Sequence, residues 1–200
     1  MNAPTRKKAP ERVRSALLAC AAKIAVEEGL AGVTVQAVAQ SAGVSKGGLF
    51  HHFANKQALV ESMFDDMIAR LDAGLDACLA GDDGAYGCFT RAYVRMVFDE
   101  PPPASDNPWS VALPVSLIAD PALKQRWDAW LARRLSVHAA TDAAPLLGVV
   151  RLAADGAWFD WLLARGERPA YFPQVRAQLL ALAASPKIVP FGMLAQGDAR

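Results

Sequence analysis

The sequence has little of what secreted and membrane proteins require. Its three cysteines, Cys20, Cys78 and Cys88, do not have the spacing of a paired motif, which is typical of a reducing cytosol. No apolar run approaches the length of about 20 residues that spans a bilayer. The basic residues near the N-terminus are not followed by the apolar core of a secretory signal. We therefore expect a cytoplasmic protein with no membrane partner.

Motifs of catalysis and cofactor binding are also missing. The chain has no Gly-x-Ser-x-Gly motif, phosphate-binding loop, dinucleotide fingerprint or metal-ligand spacing. His51 and His52 are adjacent, so their side chains diverge on a helix, and no cysteine or carboxylate joins them as a further metal ligand. Cys78 and Cys88 are candidates for a redox sensor, but no basic residue adjoins either thiol to activate it. We expect no enzyme activity, no cofactor and no bound metal.

Charge is divided unevenly along the chain, although the formal net charge is only +1. Residues 1–60 contain eight Lys and Arg against three Glu, whereas residues 61–200 contain thirteen basic and seventeen acidic residues. A basic head followed by an acidic body is typical of a protein that touches nucleic acid with the head alone. The periodicity is helical wherever a period is visible, so we predict an all-α protein.

The stretch from Thr34 to Phe53 has the pattern of a helix-turn-helix. Thr34 is a suitable N-cap for a first short helix with one apolar face. Gly43 follows that helix where a left-handed residue is favoured, and Ser45 is a suitable N-cap for a second short helix. Two short helices joined by a turn of three or four residues that contains glycine form a common DNA-binding geometry, in which the second helix reads the major groove.

The second helix carries two adjacent glycines, which are unfavourable for a helix on its own. Gly47 and Gly48 together cost roughly 1–2 kcal/mol relative to alanine. A bare backbone on the outer face lets the helix approach a DNA groove closely, and Lys46, His51 and His52 add polar groups to the same segment. A solvated surface turn is the alternative interpretation of this stretch.

At these residues the chain resembles the tetracycline-repressor (TetR) family of one-component transcriptional regulators. It departs from the family pattern at Phe50, where the family usually has a tyrosine whose hydroxyl commonly reaches a phosphate. The resemblance implies an N-terminal three-helix helix-turn-helix domain and a C-terminal helical domain for ligand binding and dimerisation, about nine helices in all. We place the domains at residues 1–54 and 55–200. The positions that match the family signature are Thr34, Val38, Ala39, Ala42, Gly43, Val44, Ser45, Gly47, Leu49, Phe50, His52, Phe53, Lys56 and Leu59.

The predicted DNA contacts can be sorted by role. Lys46 is the best candidate for a base edge, because Lys or Arg to guanine is the commonest specific contact. Gly47 and Gly48 allow the close approach, and Phe50 can pack on a thymine methyl or on sugar. The predicted phosphate or sugar partners are Thr34, Ser45, His51, His52 and Lys56.

A long amphipathic helix is predicted from its cap, Asn55, to Ala80. It would begin at the DNA and end in the second domain, so it is the natural element to transmit a signal from a ligand. Aromatic and methionine side chains on this helix and on later ones are candidates for a pocket that takes a flat or cationic organic molecule, although most are expected to be ordinary core. The candidates are Phe64, Met67, Phe89, Tyr93, Met96, Trp109, Trp127, Trp130 and Trp158.

One recognition helix covers too few base pairs to be specific. We therefore expect a two-fold homodimer on a palindromic operator in double-stranded DNA, with its two recognition helices about 34 Å apart. The family resemblance places the dimer seam on the last two helices, where small residues allow close packing; burial within a monomer core is the alternative. The predicted interface residues are Leu146, Val149, Ala153, Gly156, Ala157 and Leu179.

Two functions remain open from the sequence. The first is a homodimeric transcriptional repressor that a small-molecule effector of unknown identity releases from its operator. The second is an all-α small-molecule-binding protein or enzyme with a non-functional DNA-binding head. The second predicts weak binding to DNA of any sequence.

Overall fold

The computed structural model describes residues 5–99, 116–117, 119–164 and 167–186, with side chains from Pro10 onward except at positions 162 and 163. Within those residues the fold is all-α, as predicted, with nine helices and no strand. The helices are α1 (Thr5–Gly32), α2 (Val35–Ser41), α3 (Lys46–Phe50), α4 (Lys56–Ala80), α5 (Cys88–Asp99), α6 (Pro121–Val137), α7 (Ala139–Asp142), α8 (Pro145–Leu163) and α9 (Phe172–Ala184).

The chain divides into two compact units. The first unit comprises Met1–Asp72 with Pro103–Leu131, and the second comprises Ala73–Pro102 with Ala132–Arg200. Helices α4 and α6 each contribute residues to both units. These units are defined by how compactly the chain packs and not by function. The functional boundary predicted after residue 54 therefore stays a prediction.

Helix α1 supplies the core of the first unit. Leu17, Leu18 and Ala21 are buried on one face, as the helical pattern predicts. The sequence predicts an irregular arm over residues 1–9 and a helix from Pro10, but the observed helix begins at Thr5 and contains Pro10. Gly29, expected to end the helix, interrupts it with a φ of 73°, a left-handed conformation that glycine adopts without steric cost.

Helix α5 is the centre of the second unit. Ten of its twelve residues are buried, and it packs against α8 and α9. Its first turn is capped by the buried carboxylate of Asp142, which accepts hydrogen bonds from the backbone N–H groups of Phe89 at 3.2 Å and Thr90 at 2.9 Å. The sequence predicts instead that Thr141 and Asp142 cap α8. That prediction is wrong because the unpaired N–H groups at the start of α5 offer a buried carboxylate two donors.

A partly buried ion cluster joins the turn before α5 to the end of α9. The Arg91 guanidinium donates to Asp82 at 3.0 Å and to Asp83 at 2.5 Å. It also donates to the carbonyl oxygens of Tyr86 and, at 3.3 Å, of Ala183. Arg91 is therefore a structural residue of the second unit. Its guanidinium holds the pKa of the Asp82 carboxyl well below its usual range through direct hydrogen bonding.

The lowered pKa of Asp82 makes a stability prediction that depends on pH. An unfolded aspartate titrates at about pH 3.9, so the stabilisation from this pair should be fully present above that pH. It should be lost progressively as the pH falls towards the lower folded pKa. Urea unfolding of the wild type and of Asp82→Asn between pH 7 and pH 3 should show a free-energy difference that is constant near neutrality and shrinks below about pH 4. A free-energy difference that stays constant down to pH 3 would contradict a lowered pKa for Asp82 in the folded protein.

Candidate nucleic-acid interface

Both short helices of the predicted helix-turn-helix are present and capped as the sequence predicts. The Thr34 hydroxyl oxygen accepts the backbone N–H of Ala37 at 3.1 Å at the start of α2. The Ser45 hydroxyl oxygen accepts the N–H of Gly48 at 3.0 Å at the start of α3. Each hydroxyl satisfies one orphan donor of its helix and keeps its own proton available for a phosphate oxygen.

The turn between α2 and α3 is a Schellman motif. Gly43 has a φ of 66°, and its N–H donates to the carbonyl oxygen of Gln40 at 3.1 Å. The N–H of Val44 donates to the carbonyl oxygen of Ala39 at 3.0 Å. These two bonds satisfy the last carbonyls of α2 and set the direction in which α3 leaves.

The two glycines of α3 have different local roles. A Cβ atom added to Gly48 would lie 3.3 Å from the Ser45 hydroxyl oxygen, so glycine leaves room for the cap. At Gly47 the nearest atom would be 3.9 Å away, and φ is not positive there. Among the described residues, neither the backbone conformation nor the packing requires glycine at position 47. Its bare surface is therefore available for an external partner.

The side chains of α3 and its C-terminal end separate into an inner and an outer set. Leu49 and Phe53 are buried in the core, as predicted. Lys46 and His51 are exposed, and Phe50 is 44% exposed, which is unusual for a large aromatic. Since residues four apart share a helix face, the structure brings Lys46, Gly47, Phe50 and His51 together on the outside of α3. His52 is half-buried, and its ring lies 6.3 Å from that of Phe53.

Lys56 has a partner that the sequence does not indicate. Its ammonium group donates to the carbonyl oxygen of Ala31, near the end of α1, at 3.3 Å. Asn55 caps α4 by accepting the N–H of Ala58 at 2.8 Å, as predicted. Because an ammonium group has three donors, Lys56 can bridge the end of α1 to a phosphate at the start of α4.

The predicted ligand-binding side chains fall into separate groups. In the first unit, Phe64 and Met67 belong to the hydrophobic core that also contains Leu49 and Phe53. Trp127 packs against that core, and buried Trp130 donates its indole N–H to Asp72 at 2.7 Å. The second unit holds the rest of the described set, of which Phe89, Tyr93 and Met96 are buried and Trp158 is half-buried. Trp109 lies outside the described residues.

Polar groups in the second unit connect α5 to α8. The Tyr93 hydroxyl donates to Asp155 at 2.6 Å, and Arg151 donates to the Thr90 hydroxyl at 2.6 Å. Sequence spacing favours an ion pair between Arg151 and Asp155, but the carboxylate 3.9 Å from Arg151 is that of Asp142. Burial raises the pKa of Tyr93 and of Asp155 and lowers the pKa of Arg151. Tyr93 is therefore a polar residue of the interior, Arg151 is half-buried, and Asp155 meets the Tyr93 hydroxyl from the exposed side of α8.

The predicted dimer seam is partly exposed and partly buried within the protomer. Val149 is 60% exposed, and Ala153 and Gly156 are also exposed. Ala157 and Leu179 are only 9% and 6% exposed, so they have little surface left for a partner, and Leu146 is half-buried.

Two exposed apolar residues of α8 are missing from the predicted seam set. Leu152 is 72% exposed and Phe159 is 43% exposed. With Val149 and Gly156 they form one stripe at spacings of three and four residues. This helical spacing is visible in the sequence, and it could have identified Leu152 and Phe159 as members of the same face.

The geometry defines a class of protein. A capped helix-turn-helix with an exposed, glycine-bearing second helix, on an all-α chain, is characteristic of DNA-binding regulators. None of the described helices is both long and apolar enough to cross a bilayer.

Comparison with known proteins assigns the family. The model for bacterial regulatory proteins of the tetR family matches residues 17–63, and the model for the tetracyclin repressor-like C-terminal domain matches residues 87–184. The chain therefore belongs to the TetR family of DNA-binding transcriptional regulators.

Curated relatives match over about a third of the chain. The chain is 38% identical over 66 residues to the HTH-type transcriptional repressor KstR2 of Mycolicibacterium smegmatis, covering 33% of this chain and 32% of that protein. It is 35% identical over 72 residues to KstR2 of Rhodococcus jostii, covering 32% and 35%. The chain thus spans about a third of the length of the curated relatives that it matches.

Solved structures share the fold over most of the chain. The multidrug binding protein EbrR complexed with malachite green has a TM-score of 0.68 at 19% identity, covering 90% of this chain and 99% of that one. The ketosteroid transcriptional regulator KstR2 of Mycobacterium tuberculosis has a TM-score of 0.58 at 21% identity, covering 85% and 92%.

Proposed function

We propose that the protein is a cytoplasmic, homodimeric transcriptional repressor that binds a palindromic operator in double-stranded DNA. The outer face of α3 is the observation that carries this proposal. Lys46, Phe50 and His51 are exposed there beside Gly47, a position at which no described neighbour would obstruct a side chain. Close approach to a major groove accounts for both features.

Dimerisation is the second part of the proposal. The stripe of Val149, Leu152, Gly156 and Phe159 on α8 is apolar and exposed in a single protomer. Contiguous exposed apolar surface on a folded chain marks an interaction site. A second copy of the same stripe covers it by two-fold symmetry, which also supplies the second recognition helix that an operator needs.

The effector is proposed to be a flat, largely apolar organic molecule that binds the body. The largest fully buried side chains described in the second unit are aromatic, and Tyr93 and half-buried Arg151 provide polar groups beside them, with the exposed carboxylate of Asp155 accepting the Tyr93 hydroxyl. Two proteins that share the fold are a ketosteroid transcriptional regulator and a multidrug binding protein in complex with malachite green. Those names describe those two proteins, and they support the proposal only by likeness of fold. The effector must bind the free and the DNA-bound forms with different affinity, because otherwise it cannot release the operator.

A DNA-binding assay tests the proposal. The purified protein should shift a duplex from its own upstream region that carries a palindrome, and a scrambled duplex of equal length and composition should compete weakly. Equal affinity for both duplexes would overturn the repressor function and favour a small-molecule-binding protein with a non-functional head.

Lys46→Ala should weaken operator binding without weakening ligand binding. Loss of a base contact costs about 1–3 kcal/mol in each half-site, or roughly tenfold to hundredfold per protomer. Lys124→Ala is a matched control, because Lys124 is an exposed lysine of the same unit that is already paired with Asp128 at 2.5 Å. Fluorescence anisotropy on operator and scrambled duplexes should show selective loss for Lys46→Ala and none for Lys124→Ala. Equal loss on both duplexes would reassign Lys46 to a phosphate.

A further inference from the structure

Arg14 of α1 lies against the end of the recognition helix. Its guanidinium carbon is 5.2 Å from the centre of the Phe53 ring, and Phe53 is buried three residues after α3 ends. Phe53 is preceded by His51 and His52 and followed, three residues later, by Lys56. An α1 residue distant in sequence is thereby placed beside the segment that is proposed to meet the DNA backbone.

The contact with Phe53 orients the Arg14 side chain without using its hydrogen-bond donors. A guanidinium over an aromatic ring is held by its face, whereas its N–H groups point outward from its edge. Arg14 is half-buried, so the residue is already partly covered by its neighbours. The edge of the guanidinium is therefore pre-positioned at little further cost in side-chain entropy.

Ion pairing divides the cations of the first unit into two sets. Of its eight described Lys and Arg side chains, four have a carboxylate within 4 Å: Lys23, Arg70, Lys124 and Arg126. The other four have no carboxylate partner among the described residues, and they are Arg12, Arg14, Lys46 and Lys56. Two members of this unpaired set, Lys46 and Lys56, are already predicted DNA contacts.

The lack of a carboxylate partner has a consequence for binding. A cation in an ion pair must give up that partner before it can bind a phosphate, whereas an unpaired one need not. Arginine also matches phosphate geometry with two parallel N–H donors. Arg14 combines an orienting ring, unpaired charge and a place next to the recognition helix.

We infer that Arg14 binds a DNA phosphate and thereby fixes the position of the recognition helix in the groove. This inference rests on the proposed function. A phosphate contact carries no sequence information, so Arg14 contributes equally to binding on any sequence.

The test is the salt dependence of DNA binding by Arg14→Gln, which removes the charge and keeps most of the stem over Phe53. Anisotropy titrations between 50 and 300 mM salt would use the upstream palindromic duplex and its scrambled counterpart. Loss of one phosphate contact per protomer should reduce the slope of log K against log salt by about 0.9 per contact, or about 2 for the dimer. Affinity should fall by the same factor, roughly tenfold at low salt, on both duplexes.

Matched variants separate charge from packing. Lys23→Gln changes a cation of the same helix that is paired with Glu27, and it should leave the slope unchanged. Arg14→Lys retains the charge and should retain most of the slope. Thermal melting of each variant reports folding, and Arg14→Met provides a second charge-free variant with more apolar packing if Arg14→Gln melts early.

Each outcome decides the inference. An unchanged slope in a folded, charge-free variant overturns it. Loss confined to the palindromic duplex also overturns it, because that result assigns Arg14 to a base edge. If the wild type itself does not prefer the palindromic duplex, the proposed function fails. In that case, the difference in salt slope between the wild type and Arg14→Gln on scrambled DNA still reports whether Arg14 touches a phosphate.

Discussion

Gly87→Ala is expected to lower the free energy of unfolding by about 3–5 kcal/mol, combining backbone strain with a steric overlap. Gly87 has a φ of 75°, and an added Cβ atom would lie 2.0 Å from the carbonyl oxygen of Ala183. The overlap is with the backbone of α9, so a change of side-chain rotamer cannot relieve it. The N–H of Gly87 also donates to the carbonyl oxygen of Thr141 at 2.9 Å, which limits movement of the glycine itself. The alternatives for the variant are a displaced end of α9 or a broken turn before α5.

Gly84→Ala is the matched control for this prediction. Gly84 has a φ of 70°, but an added Cβ atom would meet nothing within 4 Å. Its cost should therefore be backbone strain alone, about 1–2 kcal/mol. Urea unfolding followed by circular dichroism measures both variants. Equal costs for the two would show that α9 yields to the added methyl group and that its packing on Gly87 is loose.

The helix-turn-helix is the part of the molecule that could be predicted from sequence in most detail. Its determinants are local: the caps Thr34 and Ser45 bond to N–H groups three residues away, and Gly43 adopts the left-handed turn. Such interactions depend on residue type and short spacing, which the sequence displays directly. The outer positions of α3 follow from the same period, although only the structure shows that no described neighbour requires glycine at position 47.

The second unit could not be predicted to the same depth, because its determinants join residues distant in sequence. Asp142 caps a helix that begins 54 residues earlier, since its carboxylate lies 3.8 Å from the Cys88 sulfur and accepts the next two N–H groups. His138 approaches the same sulfur at 3.9 Å, a basic neighbour that the sequence around Cys88 does not show. Tertiary packing creates these contacts, and no spacing rule encodes them.

The dimer seam shows how helical period and burial must be combined. Small size alone favours Ala157 as a seam residue, but the structure turns Ala157 inward. The residues left outside are those spaced three or four from Val149, including Leu152 and Phe159. Whether they form the interface remains a prediction, and it is open to a direct test.

Leu152→Asp is expected to convert the dimer to monomers and to abolish the preference for the operator, leaving only weak binding to any duplex. Leu152 is 72% exposed in the protomer, so the substitution should leave folding intact. In a two-fold seam it would bury two unpaired carboxylates close together, at a cost of about 3–5 kcal/mol, or roughly a hundredfold to several thousandfold in the dimer dissociation constant. Sedimentation equilibrium measures that constant, and anisotropy on the palindromic duplex measures the loss of binding.

Val137→Asp is the control, because it introduces the same carboxylate at an equally exposed apolar position outside the α8 stripe. Val137 is also 72% exposed, and it lies at the end of α6, away from the α8 stripe in sequence. The Val137→Asp variant should remain a dimer with wild-type operator affinity.

If Leu152→Asp stays dimeric, the α8 stripe is not the seam. If it becomes monomeric yet keeps full operator affinity, then one recognition helix suffices and the two-fold model of operator binding fails. Monomers with unchanged folding and weak binding to both duplexes are the result that joins the seam to sequence recognition, because a half-site alone supplies phosphate contacts but too few base contacts to discriminate.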